Sequence, residues 1–241
     1  MTVGIHAFGA YIPKARLQRE VMARAYSWFN PSRASLGQGE RAIANWDEDA
    51  LTMAVEAARN ALTPQQYGQI DGLYLASTSL PFQDRQNAGI AAEAMHLGND
   101  LHTMDITGSQ RAGTSALLTA LQIAVGNRRN TLVIGGEKRQ TKASSPLQLT
   151  SGDGGAALLV GPGKGVAALV GYATLSVDFV DHYRGQNQPF DYVWEERWVR
   201  DEGFLKIVPN AVRQALSNAK VAAAKIDHFC FPAPAKRVAG M

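Results

Sequence analysis

MDITGSQRAGTSAL, Met104–Leu117, runs from the end of a strand through a glycine turn into a helix. Leu101–Ile106 reads as a strand, a glycine-containing turn follows, and Gly113–Val125 continues as a helix of small residues that is apolar nearly all round. Such a helix predicts burial between layers, with its first backbone N–H groups and positive dipole end offered to a reacting group. Upstream, Asn87–Leu97 predicts a small-residue helix and Asp71–Ser77 a strand. Asp47–Leu62 predicts a further helix with acids in its first turn, its apolar stripe formed by Leu51, Ala54, Val55, Ala58 and Leu62. Val3–Phe8 alternates as a strand closed by Gly9 and Pro13. Downstream, Thr131–Ile134 predicts a strand ending at Gly135-Gly136. SGDGGAALLV, Ser151–Val160, carries a single acid through a glycine-rich turn into another strand. Strand and helix alternate, which predicts an α/β fold with a largely parallel sheet.

A second region opens near GPGKG, Gly161–Gly165, which lacks the spacing and trailing Ser/Thr of a phosphate loop and reads as a turn between strands. Val166–Val180 predicts β-structure, Asp181–Gly203 a polar, aromatic loop, Lys206–Lys220 a helix and Asp227–Phe231 a strand. The expected division is residues 1–165 and 166–241. A last strand without a following helix lacks its covering layer, so the second region reads as truncated or as completed by a partner.

The 241 residues are 46% hydrophobic and 19% charged, too apolar for a disordered chain, and no run approaches the roughly 18 to 20 apolar residues of a spanning helix. The N-terminus lacks the basic and apolar regions of a signal peptide, which points to a cytoplasmic protein with no membrane association. A net charge of +3 with scattered basic residues argues against a nucleic-acid partner. Cys230, the single cysteine, excludes an intrachain disulfide and reads as a buried, inert thiol. The five histidines are dispersed, so no metal site is predicted.

The opening VGIHAFGAYIP, the helix EDALTMAVEAARNAL, the strand-turn LVIGGEKR, the GDGGAALLV turn and DFVDHYR at Asp178–Arg184 together resemble the thiolase superfamily. The branch they resemble is that of 3-hydroxy-3-methylglutaryl-CoA synthase and ketoacyl synthase III. The resemblance runs in order over nearly the whole chain. It implies a layered αβαβα fold from two similar halves, the first complete and the second partial. It also implies a homodimer, an acyl-CoA or acyl-carrier thioester as substrate, and no cofactor beyond it.

Residue by residue, the resemblance implies altered chemistry. The family's nucleophilic Cys sits five residues after the acid that ends the strand and four before a Thr of the helix. Counting from Asp105 and back from Thr114 gives Gln110 both times. The family's general-base Glu lies in the segment that here reads ASTS, and Thr78 takes its place; Pro232 stands where the family has a catalytic His. A carboxamide is not acylated as a thiolate is, and threonine does not shuttle protons near neutral pH. Ser109, next to Gln110, is the alternative nucleophile, with no base evident for it. Relatives with Gln at the Cys position decarboxylate malonyl thioesters, and others lacking the Cys cleave C–C bonds as acyl-CoA aldolases beside a small OB-fold partner. In the aldolase reading Asp181, His182 and Tyr183 are the polar candidates, although His182 reads first as a surface-loop histidine. Thr78, Gly108, Gly152, Asp153 and Asp181 are the substrate-binding candidates. The competing reading is a non-catalytic subunit that uses the fold for thioester binding, dimerisation and partner docking, and synthesis of 3-hydroxy-3-methylglutaryl-CoA stands third.

Overall fold

The computed structural model describes residues 2–231. In chain order the elements are β1 (Val3–Tyr11), β2 (Ala15–Gln18), α1 (Arg19–Ala25), β3 (Glu40–Ile43), α2 (Ala50–Ala61), α3 (Pro64–Tyr67), β4 (Gly72–Ala76), α4 (Asn87–Ala94), β5 (His102–Ile106) and α5 (Ala112–Asn127). They continue with β6 (Thr131–Glu137), α6 (Pro146–Thr150), β7 (Gly154–Pro162), β8 (Ala167–Ala168), β9 (His182–Tyr183), β10 (Tyr192–Val193), α7 (Glu196–Trp198) and α8 (Leu205–Ala219). The chain divides into two compact units. One runs to Arg139 and takes in Ser144–Leu169; the other holds Gln140–Ala143 and resumes at Val170.

The first unit is built on a six-stranded sheet in the order β5-β4-β6-β7-β1-β8. The expected α/β class holds, but the sheet is mixed rather than largely parallel. β5, β4 and β6 are parallel, whereas β7 runs antiparallel to both β6 and β1, and β8 is antiparallel to β1. The reason is local: β6 and β7 are joined without a covering crossover helix, so β7 returns beside its neighbour. β6 also extends through Gly135-Gly136 to Glu137 instead of stopping at the glycines.

Side chains alternate across the sheet into two cores. Leu73, Leu75, Leu132 and Ile134 face α2 and α4, while Tyr74, Ala76 and Val133 face α5. Each fully buried Leu or Ile contributes about 1.5–3 kcal/mol by leaving water. In β1 the pairing with β7 shifts between Ile5 and Ala7, a bulge at His6. Val3 and Ile5 therefore join the α5 core, and Ala7 and Tyr11 the α2 core.

Helix α2 begins at a capping box rather than with acids in its first turn. The Asp49 carboxylate accepts the Thr52 N–H at 2.8 Å, and the Thr52 hydroxyl accepts the Asp49 N–H at 2.8 Å. Its buried face holds the predicted stripe and, in addition, Ala50, Met53 and Ala57. The helix lies directly on sheet backbone: a methyl group at Gly136 would overlap the Ala50 carbonyl, and one at Gly155 the Met53 carbonyl. Only glycine leaves room for so close an approach.

α5 departs from expectation. Only Ala112, Ala116, Ala120, Leu121 and Ala124 are buried, and Val125 is 49% exposed, so one stripe packs on the sheet and the opposite face is open.

β2, α1, a 3₁₀ segment at Pro31–Leu36 and β3 form an excursion whose arginines hold the segment containing α6. The Arg19 Nε–H donates to the Leu149 carbonyl at 2.6 Å, Arg33 Nε–H to Ser144 O at 2.8 Å, and an Arg41 guanidinium N–H to Gln148 O at 2.6 Å.

The second unit contains less β-structure than predicted. Beyond β8 the Val166–Val180 stretch has no strand. The predicted loop at Asp181–Gly203 instead folds as the short hairpin β9–β10, α7 and a π-helical segment, Val199–Phe204. Its rings explain the order: Phe179 stacks on Trp198 at 4.4 Å between centroids, and Tyr183 lies against Tyr192 at 5.1 Å. α8 matches the predicted helix and leaves its apolar stripe half-buried. The predicted strand at Asp227–Phe231 is irregular chain, without a neighbouring strand to pair with it among the described residues, and Cys230 is exposed rather than buried. Pro232 lies outside the described residues. Among those described, no helix is long and apolar enough to cross a membrane.

Gly136→Ala should lower stability by about 1–3 kcal/mol through overpacking against α2, read as a fall in the urea midpoint. An unchanged midpoint would mean that α2 does not seat on the sheet backbone. Burial also pushes the Tyr74 phenol above its ordinary 10.0. The neutral phenol is the form that the core favours, so this stabilisation is present below pH 10.0 and is lost as pH rises toward the folded-state value. Tyr74→Phe should remove that alkaline slope in pH-dependent unfolding.

Candidate active site

The parallel strands bring their carboxyl ends to one edge of the sheet, the position at which open α/β sheets present groups to ligands. Ala76 of β4 is in register with Ile106 of β5 and Gly135 of β6. Two residues further along, the chain reaches Thr78, Gly108 and Glu137 respectively. Glu137 is opposite Gly154 at the start of β7, so Gly152 and Asp153 belong to the same edge.

At the end of β4 the chain is tied to Glu137. The Thr78 hydroxyl donates to Glu137 Oε1 at 2.8 Å and the Thr78 N–H to Oε2 at 3.1 Å, with Ser77 Oγ at 3.4 Å from Oε2. The Lys138 N–H donates to Ser79 Oγ at 2.9 Å, a second stitch between the same strand ends. An Arg139 guanidinium nitrogen stands 4.0 Å from Glu137 Oε1. Thr78, predicted as a substrate-binding residue, is thus the hydrogen-bond donor to a carboxylate that the sequence reading did not single out. The signal was present as the Glu of GGEKR, but only the cross-strand register reveals that it faces Thr78.

β5 ends at Ile106 and the chain turns through Gly108, at φ +83°, into exposed Ser109 and Gln110. The Ser109 carbonyl accepts the Ala112 N–H at 2.9 Å and its hydroxyl the Arg111 N–H at 3.3 Å, so Ser109 shapes the turn that leads to Arg111, the N-cap of α5. Asp105 anchors the turn from below. Its carboxylate accepts the N–H groups of Asn87 and Ala88 at 2.8 and 2.7 Å, and the Asn87 side-chain amide at 2.9 Å, placing a negative charge at the positive end of α4. The buried Asn87 amide also donates to Phe82 O and accepts from Phe82 N–H, which fixes the loop that follows Thr78.

Asp153 is buried and committed elsewhere. Its carboxylate accepts the Ala44 N–H at 2.8 Å and faces an Arg41 guanidinium nitrogen at 3.8 Å. Gly152 lies beside the backbone of Ala42. In the second unit, Asp181 Oδ1 accepts the His182 N–H at 2.8 Å and lies 2.7 Å from His182 Nδ1. Tyr183 is 53% exposed. Among the described residues no group of three or more His, Cys, Asp or Glu side chains forms a metal-binding cluster.

No family model matches the chain. The hydroxymethylglutaryl-CoA synthase of Methanocaldococcus jannaschii is 30% identical over 238 residues, covering 96% of this chain and 68% of the relative. The chain belongs to the hydroxymethylglutaryl-CoA synthase family. The family enzyme of Aeropyrum pernix is 28% identical over 237 residues, 97% of this chain, of which the chain spans 65%. A hydroxymethylglutaryl-CoA synthase solved in complex with CoA superposes with a TM-score of 0.84 at 20% identity, over 99% of this chain and 62% of that one. OleA of Xanthomonas campestris superposes at 0.85 and 17% identity, covering 100% of this chain and 78% of that one. The 3-oxoacyl-(acyl carrier protein) synthase III of Pseudomonas aeruginosa superposes at 0.82 and 18% identity, over 95% and 74%. The fold is therefore the thiolase-like one shared by these synthases, and this family member spans about two thirds of the curated relatives.

Asp153→Ala should destabilise the protein by about 3 kcal/mol, because it leaves the Arg41 guanidinium buried without its charge partner. Replacing Arg41 by Met in the same background should recover part of that loss in chemical denaturation.

Proposed function

We propose that this family member binds an acyl-CoA or acyl-carrier thioester and acts on the adjacent C–C bond without a covalent acyl-enzyme. The observation that carries the reading is the edge itself: an exposed Ser109-Gln110 turn and an oriented carboxylate, Glu137, stand at the same end of parallel strands on either side of β4. Gln110 offers a carboxamide that donates and accepts hydrogen bonds but is not a nucleophile of the thiolate kind. Cys230, the single cysteine, belongs to the second unit. Relatives crystallised with CoA, with 3-hydroxy-3-methylglutaryl coenzyme A and with an acetyl donor carrier protein support a thioester ligand. Decarboxylation and retro-aldol cleavage both meet these terms, since each passes through a thioester enolate.

A second reading, a non-catalytic subunit that docks a partner or a second copy, draws on one observation. On the outward face of α5, Val125 is 49% exposed and Leu118, two turns before it, is only part-buried.

Incubation of the protein with a panel of acyl-, malonyl- and 3-hydroxyacyl-CoA thioesters should give CoA-bearing products while the intact protein mass stays unchanged. A stable adduct mapped to Ser109 would replace this reading with covalent chemistry at a new nucleophile. Tight thioester binding with neither product nor adduct would favour the subunit reading.

A further inference from the structure

Building on the thioester reading above, we infer that Glu137 is the acid–base group of the site and that its substrate is a 3-hydroxyacyl thioester cleaved by a retro-aldol step. Three features of the strand edge lead there.

The carboxylate is held in one orientation. Thr78 donates to both of its oxygens, through hydroxyl and backbone N–H, and Ser77 Oγ approaches Oε2. A carboxylate offers about four lone-pair sites. The three contacts therefore leave acceptor capacity for a substrate proton while fixing the plane of the group.

Of the Glu137–Arg139 pair, the carboxylate is the more exposed charge. Glu137 has 36% of its side chain exposed and the neighbouring Arg139 only 11%. A ligand that reaches this pair meets the anion before its cation. A malonyl-type thioester would bring a second carboxylate against it, which is unfavourable at short range. Decarboxylation also has no use for a base. A neutral 3-hydroxyl, by contrast, donates a hydrogen bond to such a group.

The spacing suits a bond between the two ends of the edge. With neighbouring strands about 5 Å apart, the in-register row from Gly108 through Thr78 to Glu137 spans about 10 Å. A thioester seated at the Gly108–Gln110 turn would extend its acyl carbons along the row toward Glu137.

The step balances without an oxidant or a co-reactant. The 3-hydroxyl O–H bond breaks and its proton passes to a Glu137 oxygen. The O–H electron pair forms the new C=O at C3. The C2–C3 bond breaks, and its pair moves into the thioester enolate. The enolate then takes the proton back from Glu137 at C2. The products are a carbonyl compound and a thioester shortened by that fragment, and Glu137 ends as the carboxylate. Thr78 acts as a positioning residue, since it touches Glu137 and not the reacting atoms.

The test uses the whole chain with 3-hydroxybutyryl-CoA, acetyl-CoA and malonyl-CoA as probes. Calorimetry reads binding, carbonyl trapping reads cleavage, and NMR in D2O reads exchange of the acetyl C2 protons. The wild type should bind 3-hydroxybutyryl-CoA, release acetaldehyde and acetyl-CoA, and exchange the C2 protons. Glu137→Gln should bind the thioesters within about threefold of wild type and lose cleavage and exchange by about 100-fold or more. Glu137→Asp should retain part of both activities. Thr78→Val should lower kcat for cleavage several-fold with KM nearly unchanged, because the carboxylate loses a donor that fixes its plane, and Thr78→Ser should restore it. Cleavage retained in Glu137→Gln would overturn the inference. So would malonyl-CoA decarboxylation by a wild type that leaves 3-hydroxybutyryl-CoA intact, although the thioester reading would survive. A wild type that binds none of the probes would remove both.

Discussion

The close seat of α2 on the sheet is the constraint from which the rest of the first unit follows. Helix and strands meet backbone to backbone where Gly136 lies under Ala50 and Gly155 under Met53. Dispersion contacts fall off steeply with separation, so removing side chains at these positions turns a loose stack into a tight one. Ala54, Val55 and Ala58 then fit against Leu132, Ile134, Ala157 and Leu159 in one core. The same contact fixes β6 and β7 against each other through their last paired residues. Glu137 follows Gly136 directly, so its height above the sheet edge is set by helix packing and not by a flexible loop.

Much of this architecture was legible in the sequence, and the reasons are physical. β4, β5 and α4 declare themselves through short-range pattern: alternation, small-residue periodicity and flanking turns. What failed depended on distant partners. The apolar circumference of α5 predicts burial on all sides, but periodicity reports what a helix offers for packing and not what packs against it. β7 reads as one more strand, and nothing in GDGGAALLV states that it runs against β6. Asp227–Phe231 has strand composition but no neighbouring strand among the described residues, and composition alone does not make a ladder. The aromatic stretch Asp181–Gly203 read as loop because ring-on-ring packing, rather than backbone pattern, orders it.

The site shows the same division. Gln110, Thr78 and Ser109 were found by counting along the chain, which fixes position but not surroundings. Glu137 was passed over because its meaning depends on the β4–β6 register, a relation between residues 59 apart in sequence. Asp153 was placed at the correct edge and given an outward role, yet its carboxylate turns inward to Arg41 and Ala44. A single acid in a glycine-rich turn thus has two readings, and the buried guanidinium decides between them.

The arginine contacts to the segment around α6 carry a different consequence. Arg19, Arg33 and Arg41 grip carbonyl oxygens of Leu149, Ser144 and Gln148, groups that every amino acid possesses. Recognition of this kind reads the path of the main chain and is indifferent to most of the side chains strung along it. Inside the segment, the buried Leu149 and the Ser145 cap of α6 hold their own places, but the path of the chain past them rests on three guanidinium groups far away in sequence. The course of this segment is thus written in part by residues that do not belong to it.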